Sequence, residues 1–409
     1  MHLQTIACRG VNTFVWLESP SMTESPLHSE LAAQLAQLSV DGLTRKRRTL
    51  DAPCGPLARV DGRELISFCS NDYLGLANDP ALVEAVCAGA QAWGIGGGAS
   101  HLVSGHLAPH EALEEKLATF TGFARALLFS TGYMANLGIV PALVGRGDAI
   151  FADKLNHASL IDAVQLSRAN SHRYAHGDLA ALERQLTASN APRKLILTDA
   201  VFSMDGDLAP LPGLFELAER FDAWLVIDDA HGFGVLGARG RGSLAHFGLQ
   251  ASERVVYMGT LGKAAGGSGA FVAGSGTLIE WLLQRARTYI FTTGSSPAMA
   301  CALLASLDLI EGGDARRDHL RQLTAQLRDG LANTRWRLMA SPTAIQPVII
   351  GDNHEALRVA GALYERGLWV PAIRPPTVPK GSARLRVSLT AAHSTEHVAQ
   401  LVNALRDLA

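Results

Sequence analysis

Two stretches of the 409-residue chain set reactive groups at the ends of apolar runs. Trp224-Leu-Val-Ile-Asp228-Asp229-Ala-His231-Gly232 reads as a buried strand that closes in two acids and a histidine. Side chains alternate along a strand, so Asp228 shares a face with Val226 and Asp229 points the other way. A carboxylate at the end of a buried strand needs a cationic partner, because an unpaired buried charge is strongly unfavourable. Taken alone, the pair is a helix N-cap acid with a turn histidine. Taken as a site, Asp228 faces a ligand cation with His231 beside it. The following run ends in Gly259-Thr-Leu-Gly262-Lys263-Ala-Ala-Gly266-Gly267, a lysine whose small neighbours leave space at its side. Desolvation lowers the pKa of such an amine and permits Schiff-base chemistry. A nucleotide P-loop is not matched, since Ala264 follows the lysine where Ser or Thr is required. A solvated surface lysine is the other reading.

Ser130-Thr-Gly132-Tyr133-Met-Ala-Asn136 joins an apolar run to a helical segment, so its backbone N–H groups suit a phosphate at the positive end of a helix. Asn156-His157-Ala-Ser159 and Val201-Phe-Ser203-Met-Asp205-Gly206 are further loops with polar tips, each of which serves equally as a cap or turn. Gly94-Ile-Gly96-Gly97-Gly98 superficially resembles a dinucleotide fingerprint, but no β-type run precedes it. A lysine, a buried acid, histidines and a phosphate-binding turn at successive strand ends together fit pyridoxal 5'-phosphate (PLP). That cofactor needs an amine for its aldehyde, a carboxylate for its ring nitrogen and donors for its phosphate.

The elements that must position these groups follow from the pattern of apolar runs. Strand candidates at residues 127–129, 149–152, 195–198, 224–228 and 255–258 alternate with helix-period stretches such as 179–186 and 214–221. Such alternation predicts an α/β fold, a mainly parallel doubly wound sheet with ligands at the carboxyl ends of its strands. Beyond Gly294-Ser-Ser-Pro297 come a long helical region to Leu331, a run at 344–350, a helix near 356–367 and the strand-like segment 384–389, read as a smaller C-terminal α+β domain. The expected divisions are a leader without function at 1–21, an N-terminal helical segment at 22–60, a large PLP-binding domain at 61–293 and a small domain at 294–409. The working chain is expected to start at Met22.

Composition narrows the partners. Charged residues make up 18% of the chain and leave a formal net charge of -2, which argues against nucleic acid. Five cysteines without a C-x-x-C pair indicate neither a disulfide framework nor a zinc knuckle, so the expected compartment is the reducing cytoplasm and no metal is expected. Residues 126–145 carry no charge and are long enough to span a bilayer, but Ser130, Thr131, Gly132 and Asn136 break them into strand, turn and helix. No membrane partner is expected.

From about Arg45 to the C-terminus the chain resembles the α-oxoamine synthase family of fold-type I PLP-dependent transferases. The resemblance is carried by Ser70-Asn-Asp-Tyr-Leu-Gly75, His157-Ala-Ser159, Phe202-Ser-Met-Asp-Gly206, Asp228-Asp-Ala-His-Gly232, Thr260-Leu-Gly-Lys263 and Ala372-Ile-Arg-Pro-Pro-Thr-Val-Pro379. It implies that Lys263 holds PLP as a Schiff base, that Asp228 pairs with the ring nitrogen, that His231 and Ser203 address the ring oxygen and that His157 stacks on the ring. Gly132, Tyr133 and Thr260 are implied at the phosphate or ring edge, and Thr293 at the phosphate of a second subunit in a homodimer. Arg374 is implied as the clamp for a substrate carboxylate, with Thr377 nearby and Arg45 as a further substrate-binding arginine. The last motif points to the member of biotin synthesis that condenses L-alanine with a pimeloyl thioester of CoA or an acyl carrier protein. A sister activity joining glycine to acetyl-CoA, and a non-catalytic scaffold subunit, are the alternatives. Residues before Met22 have no counterpart in the family.

Overall fold

The computed structural model describes residues 25–409. The expectations for the leader at 1–21 and for a start at Met22 lie outside the described residues. The described residues fall into two units, one ending at Arg47 and the other spanning Arg48–Ala409. In the first, Pro26–Val40 is helical: Ser25 caps it by accepting the His28 N–H at 3.2 Å, and Pro26 takes the first turn, where its missing N–H costs nothing.

The second unit opens with an antiparallel pair, β1 (Leu57–Val60) and β2 (Arg63–Ser67), within and beyond a stretch expected to be helical to residue 60. Seven strands then build the central sheet: β3 (Arg125–Phe129), β4 (Ala149–Asp153), β5 (Asn170–Tyr174), β6 (Lys194–Asp199), β7 (Trp224–Asp228), β8 (Val255–Thr260) and β9 (Ala270–Gly274). Their order is β3-β9-β8-β7-β6-β4-β5. Every neighbouring pair is parallel except those made by β9, which runs antiparallel to both β3 and β8. The mainly parallel sheet is thus as expected.

Alternation along β7 sorts its side chains between two cores. Leu225 and Ile227 join one cluster, whereas Val226 packs in the other with Ile139 and Val140 of the helix Gly132–Leu143. Asp228, two residues beyond Val226, is therefore carried towards the start of that helix. Residues 126–145 divide into β3 and this helix, and among the described residues no helix is long and apolar enough to cross a membrane.

The C-terminal part carries β10 (Arg337–Leu338), β11 (Ile345–Gly351), β12 (Leu368–Trp369), β13 (Ala372–Ile373) and β14 (Ala383–Ser388). Four of them form an antiparallel sheet in the order β10-β11-β14-β13, while β12 pairs in parallel with β2. The helical region after Pro297 is two helices, Pro297–Glu311 and Asp314–Leu331, parted at Gly312-Gly313. The described cysteines, 54, 69, 87 and 301, are all free thiols.

Candidate active site

Lys263 follows β8 by three residues, and its flanking Ala264 and Ala265 are fully packed into the core. The lysine itself is partly buried, with Nζ 2.8 Å from Nε2 of the buried His231. Burial of the amine pushes its pKa down to about 8, against the opposing pull of Asp228 and Asp199.

The His231 ring continues inward, its Nδ1 lying 2.6 Å from the hydroxyl of the buried Tyr73. Tyr73 in turn donates to Asn71 Oδ1 at 3.2 Å, an oxygen that also accepts from Arg386 Nη1 at 3.1 Å. An amide oxygen only accepts, so the proton order is set from that end: Tyr73 donates to Asn71, His231 Nδ1–H donates to Tyr73, and Nε2 keeps a lone pair for Lys263. Burial, then Lys263 and Arg386, hold the His231 pKa well below the ordinary histidine value, in keeping with a neutral ring.

Asp228 ends β7, buried, with Oδ2 accepting from Asn136 Nδ2 at 2.7 Å and Oδ1 accepting the Ala230 N–H at 3.0 Å. The same Asn136 amide donates to Ser159 Oγ at 2.9 Å, leaving that hydroxyl proton for His157 Nδ1, 2.7 Å away. The Ser159 N–H points at the same nitrogen at 3.3 Å. With two donors on Nδ1, neutral His157 carries its proton on Nε2. Although the residue as a whole is exposed, the atoms packed around its ring lower its pKa. Its backbone N–H is held by Asp199 Oδ2 at 2.7 Å, and Asp199 lies opposite Asp228 in the β6–β7 register. Burial, with Asp228 adding to it, drives the Asp199 carboxyl well above its ordinary range.

Asp229 points away from this cluster, as alternation requires. Its Oδ2 accepts from Tyr257 Oη at 2.6 Å and from the Ser243 N–H at 2.7 Å. A side chain on Gly232 would collide with the Asp229 carboxylate, and so would one on Gly242, whose φ of +90° also favours glycine. Burial pushes the Asp229 carboxyl up to about 7. It anchors the loop after β7.

Gly132 and Tyr133 begin the helix Gly132–Leu143, whose first N–H groups have no intrahelical acceptor; Thr131 caps Met134 N at 3.1 Å. A β-carbon at Gly132 would stand 4.0 Å from Thr260 Oγ1, and one at Gly262 3.8 Å from the same atom, so both glycines keep the space beside Thr260 clear. Tyr133 is exposed, meets the His157 ring edge-on at 6.4 Å and donates to Asp162. The Ser203 carbonyl accepts from Arg386 Nε at 2.6 Å, and Arg384 of the same strand reaches Asp205 and the Met204 carbonyl. These two buried arginines of β14 tie the four-stranded sheet to the loop holding Ser203.

Lys263, His231, Asp228 and His157 are thus joined, directly or through at most two neighbours, to Tyr73, Asn71, Asn136, Ser159, Asp199 and Arg386, residues to which the sequence assigned no role. A buried arginine pair at alternate positions of a strand was the one local signal for Arg386. Arg374 and Thr377 stand on the turn after β13, where the Thr377 N–H donates to the Arg374 carbonyl at 3.1 Å. Thr293 is exposed in the loop before Pro297. Arg45 belongs to the first unit.

The residues present fit PLP: an inward-turned amine of lowered pKa, a buried acid on the neighbouring strand, and open space beside a helix N-terminus. Comparison with known proteins agrees. Residues 63–405 match the family model for aminotransferase class I and II. The chain is 68% identical over 384 residues to an 8-amino-7-oxononanoate synthase of Herminiimonas arsenicoxydans, covering 93% of this chain and 99% of that protein. The chain belongs to the 8-amino-7-oxononanoate synthase family. A second member, from Aromatoleum aromaticum, is 66% identical over 382 residues, again covering 93% and 99%. Among solved structures, the family member from Francisella tularensis superposes with a TM-score of 0.73 at 30% identity, over 84% of this chain and 97% of that one. A serine palmitoyltransferase from Sphingomonas wittichii gives a TM-score of 0.87 at 30% identity over 95% and 98%.

Proposed function

We propose that this chain is a PLP-dependent acyltransferase that condenses L-alanine with a pimeloyl thioester to give 8-amino-7-oxononanoate, CO2 and the free thiol carrier. The observation that carries this reading is Lys263, an amine of lowered pKa held on a neutral His231 at a strand end next to that of Asp228. Bound there, PLP supplies an aldehyde for the amine and a cationic ring that takes up the electron pair left when the alanine Cα loses its proton.

The protein's own groups supply the rest. With its pKa lowered to about 8, Lys263 would be the residue that holds the cofactor aldehyde, and its amine would serve as the base for the Cα proton. His231 accepts a Lys263 N–H at Nε2, which keeps the lone pair of Nζ turned elsewhere. Asp228, pinned by Asn136 and the Ala230 N–H, is the counter-charge for the ring nitrogen. His157 would stack on the ring as a neutral imidazole. Ser203 and His231 would address the ring oxygen, and Gly132, Tyr133 and Thr260 would hold the phosphate or ring edge. Arg374 would grip a substrate carboxylate with the planar fork that only arginine offers, with Thr377 nearby. In the reaction the alanine Cα joins the pimeloyl carbonyl carbon, the thiol leaves, and the alanine carboxyl departs as CO2.

The active form is a homodimer in which Thr293 reaches the partner's cofactor phosphate. In support, Trp93, Ile95, Val103 and Phe291 are large exposed apolar side chains, and their two segments are joined by the Gly294 N–H to the Ala99 carbonyl at 2.8 Å.

The test is purified protein with PLP, L-alanine or glycine, and pimeloyl-CoA, pimeloyl-carrier protein or acetyl-CoA, with products read by mass. Product from alanine with a pimeloyl donor is expected. Product from glycine with acetyl-CoA instead would assign the sister activity, and a protein that binds PLP but makes no product would be a scaffold.

A further inference from the structure

Away from Lys263, three histidines gather where the π-helical turn His101–Gly105 meets the helix Ala108–Thr121. His101, His106 and His110 each offer a ring nitrogen within 4.8 Å of those of the other two. The Nδ1 atoms of His101 and His106 face each other at 2.9 Å. On its far side His106 Nε2 meets Glu111 Oε2 at 2.9 Å. A carboxylate only accepts, so Nε2 carries the proton and the lone pair of the neutral ring lies at Nδ1. His110 repeats the pattern: Nε2 meets the Ser295 carbonyl at 3.0 Å, and Nδ1 is the acceptor, here for the Leu107 N–H at 3.0 Å. Two outer acceptors thus set the ring tautomers, while stacking on Tyr289, at 5.3 Å and 9°, fixes the plane of His101. A carboxylate or backbone carbonyl on the far ring nitrogen is the arrangement that orients metal-binding histidines.

We propose that His101, His106 and His110 bind a divalent transition-metal ion of the zinc type, at a site distinct from the Lys263 cluster. Imidazole nitrogens suit such ions, and three of them plus a water complete a tetrahedron. Two Zn–N bonds of about 2.0–2.1 Å at the tetrahedral angle set the nitrogens about 3.3 Å apart, so the His101–His106 pair opens by only about 0.4 Å. The ion replaces the proton shared by that pair and the Leu107 N–H on His110. Once bound, the ion ties the turn at His101 to the helix carrying His110, and through His110 to the loop at Ser295.

The test uses the PLP-loaded, chelator-washed protein titrated with Co2+ and then Zn2+, read by metal analysis after dialysis and by visible absorption. One ion per chain, Zn2+ displacing Co2+, and a saturable rise in Tm are expected. His106→Gln should weaken uptake by about 100-fold or more, and Glu111→Gln, which leaves all three rings in place, by about 10- to 100-fold. Both variants should keep the wild-type PLP absorption, which shows that they fold; if His106→Gln does not, Glu111→Gln decides. Absence of stoichiometric uptake by the wild type, or uptake unchanged in the variants, would overturn the proposal.

Discussion

Asp228 and Asp229 differ in what their oxygens meet, and that difference makes the residue-scale prediction. Asp228 bonds Asn136 and the Ala230 N–H, next to the lysine cluster, whereas Asp229 bonds Tyr257 and Ser243 on the opposite face. Asp228→Asn should lower kcat by orders of magnitude with a smaller change in alanine KM, because it removes the counter-charge to the ring. Asp229→Asn should leave kcat within a few-fold, since its amide oxygen can take the place of Oδ2 and accept from both donors, yet cost about 1–3 kcal/mol of stability, because the amide N–H2 is then buried where Oδ1 meets no hydrogen-bond partner. Kinetics and denaturant unfolding on the two variants check this; equal losses of kcat would contradict the assignment by face. Lys263, Asp228 and His231 were readable in the sequence because each ends or follows an apolar run that a solvated residue would not need. Asn136, Tyr73, Asp199 and Arg386 were not, because their parts depend on partners far away in sequence: Asn136 meets Asp228 across 92 positions and Arg386 meets Asn71 across 315.

At the scale of elements, the loops that present the site are tied down by a histidine clamp. His176, just after β5, bonds Asp153 at the end of β4 at 3.1 Å and Asp207 in the loop after β6 at 2.7 Å. Those two carboxylates raise its pKa to about 10. A histidine whose pKa is higher in the folded than in the unfolded chain stabilises fully below its ordinary value near 6.5 and loses that contribution as pH rises through about 10. The Tm deficit of His176→Gln should therefore be largest near pH 6 and shrink towards pH 10; a deficit constant across that range would refute the clamp. Apolar runs located β3, β4, β6, β7 and β8, strands whose side chains are nearly all buried. They missed β5, because Asn170-Ser-His-Arg-Tyr174 is an edge strand exposed except at Tyr174. They missed β9 as well, because Ala270-Phe-Val-Ala-Gly274 is a short run of mostly small residues, and with it the reversal of chain direction, which depends on the length of the connection and not on composition.

For the whole molecule, the proposed homodimer, with the exposed apolar segments around Val103 and Phe291 as its support, predicts that light scattering gives twice the 43.4 kDa chain mass. A fully active monomer would rule out the composite site that Thr293 implies. The folding of one chain into a sheet that gathers a lysine, a buried acid and two neutral histidines has a single purpose in this account: to join alanine to an acyl group while the alanine carboxyl is lost. The most direct measurement of that claim follows the label of L-[1-13C]alanine supplied with a pimeloyl thioester. All of the label consumed should appear as 13CO2, in equal amount to an unlabelled 8-amino-7-oxononanoate, and Lys263→Ala should release none. Label retained in the product, or condensation that persists without Lys263, would contradict it.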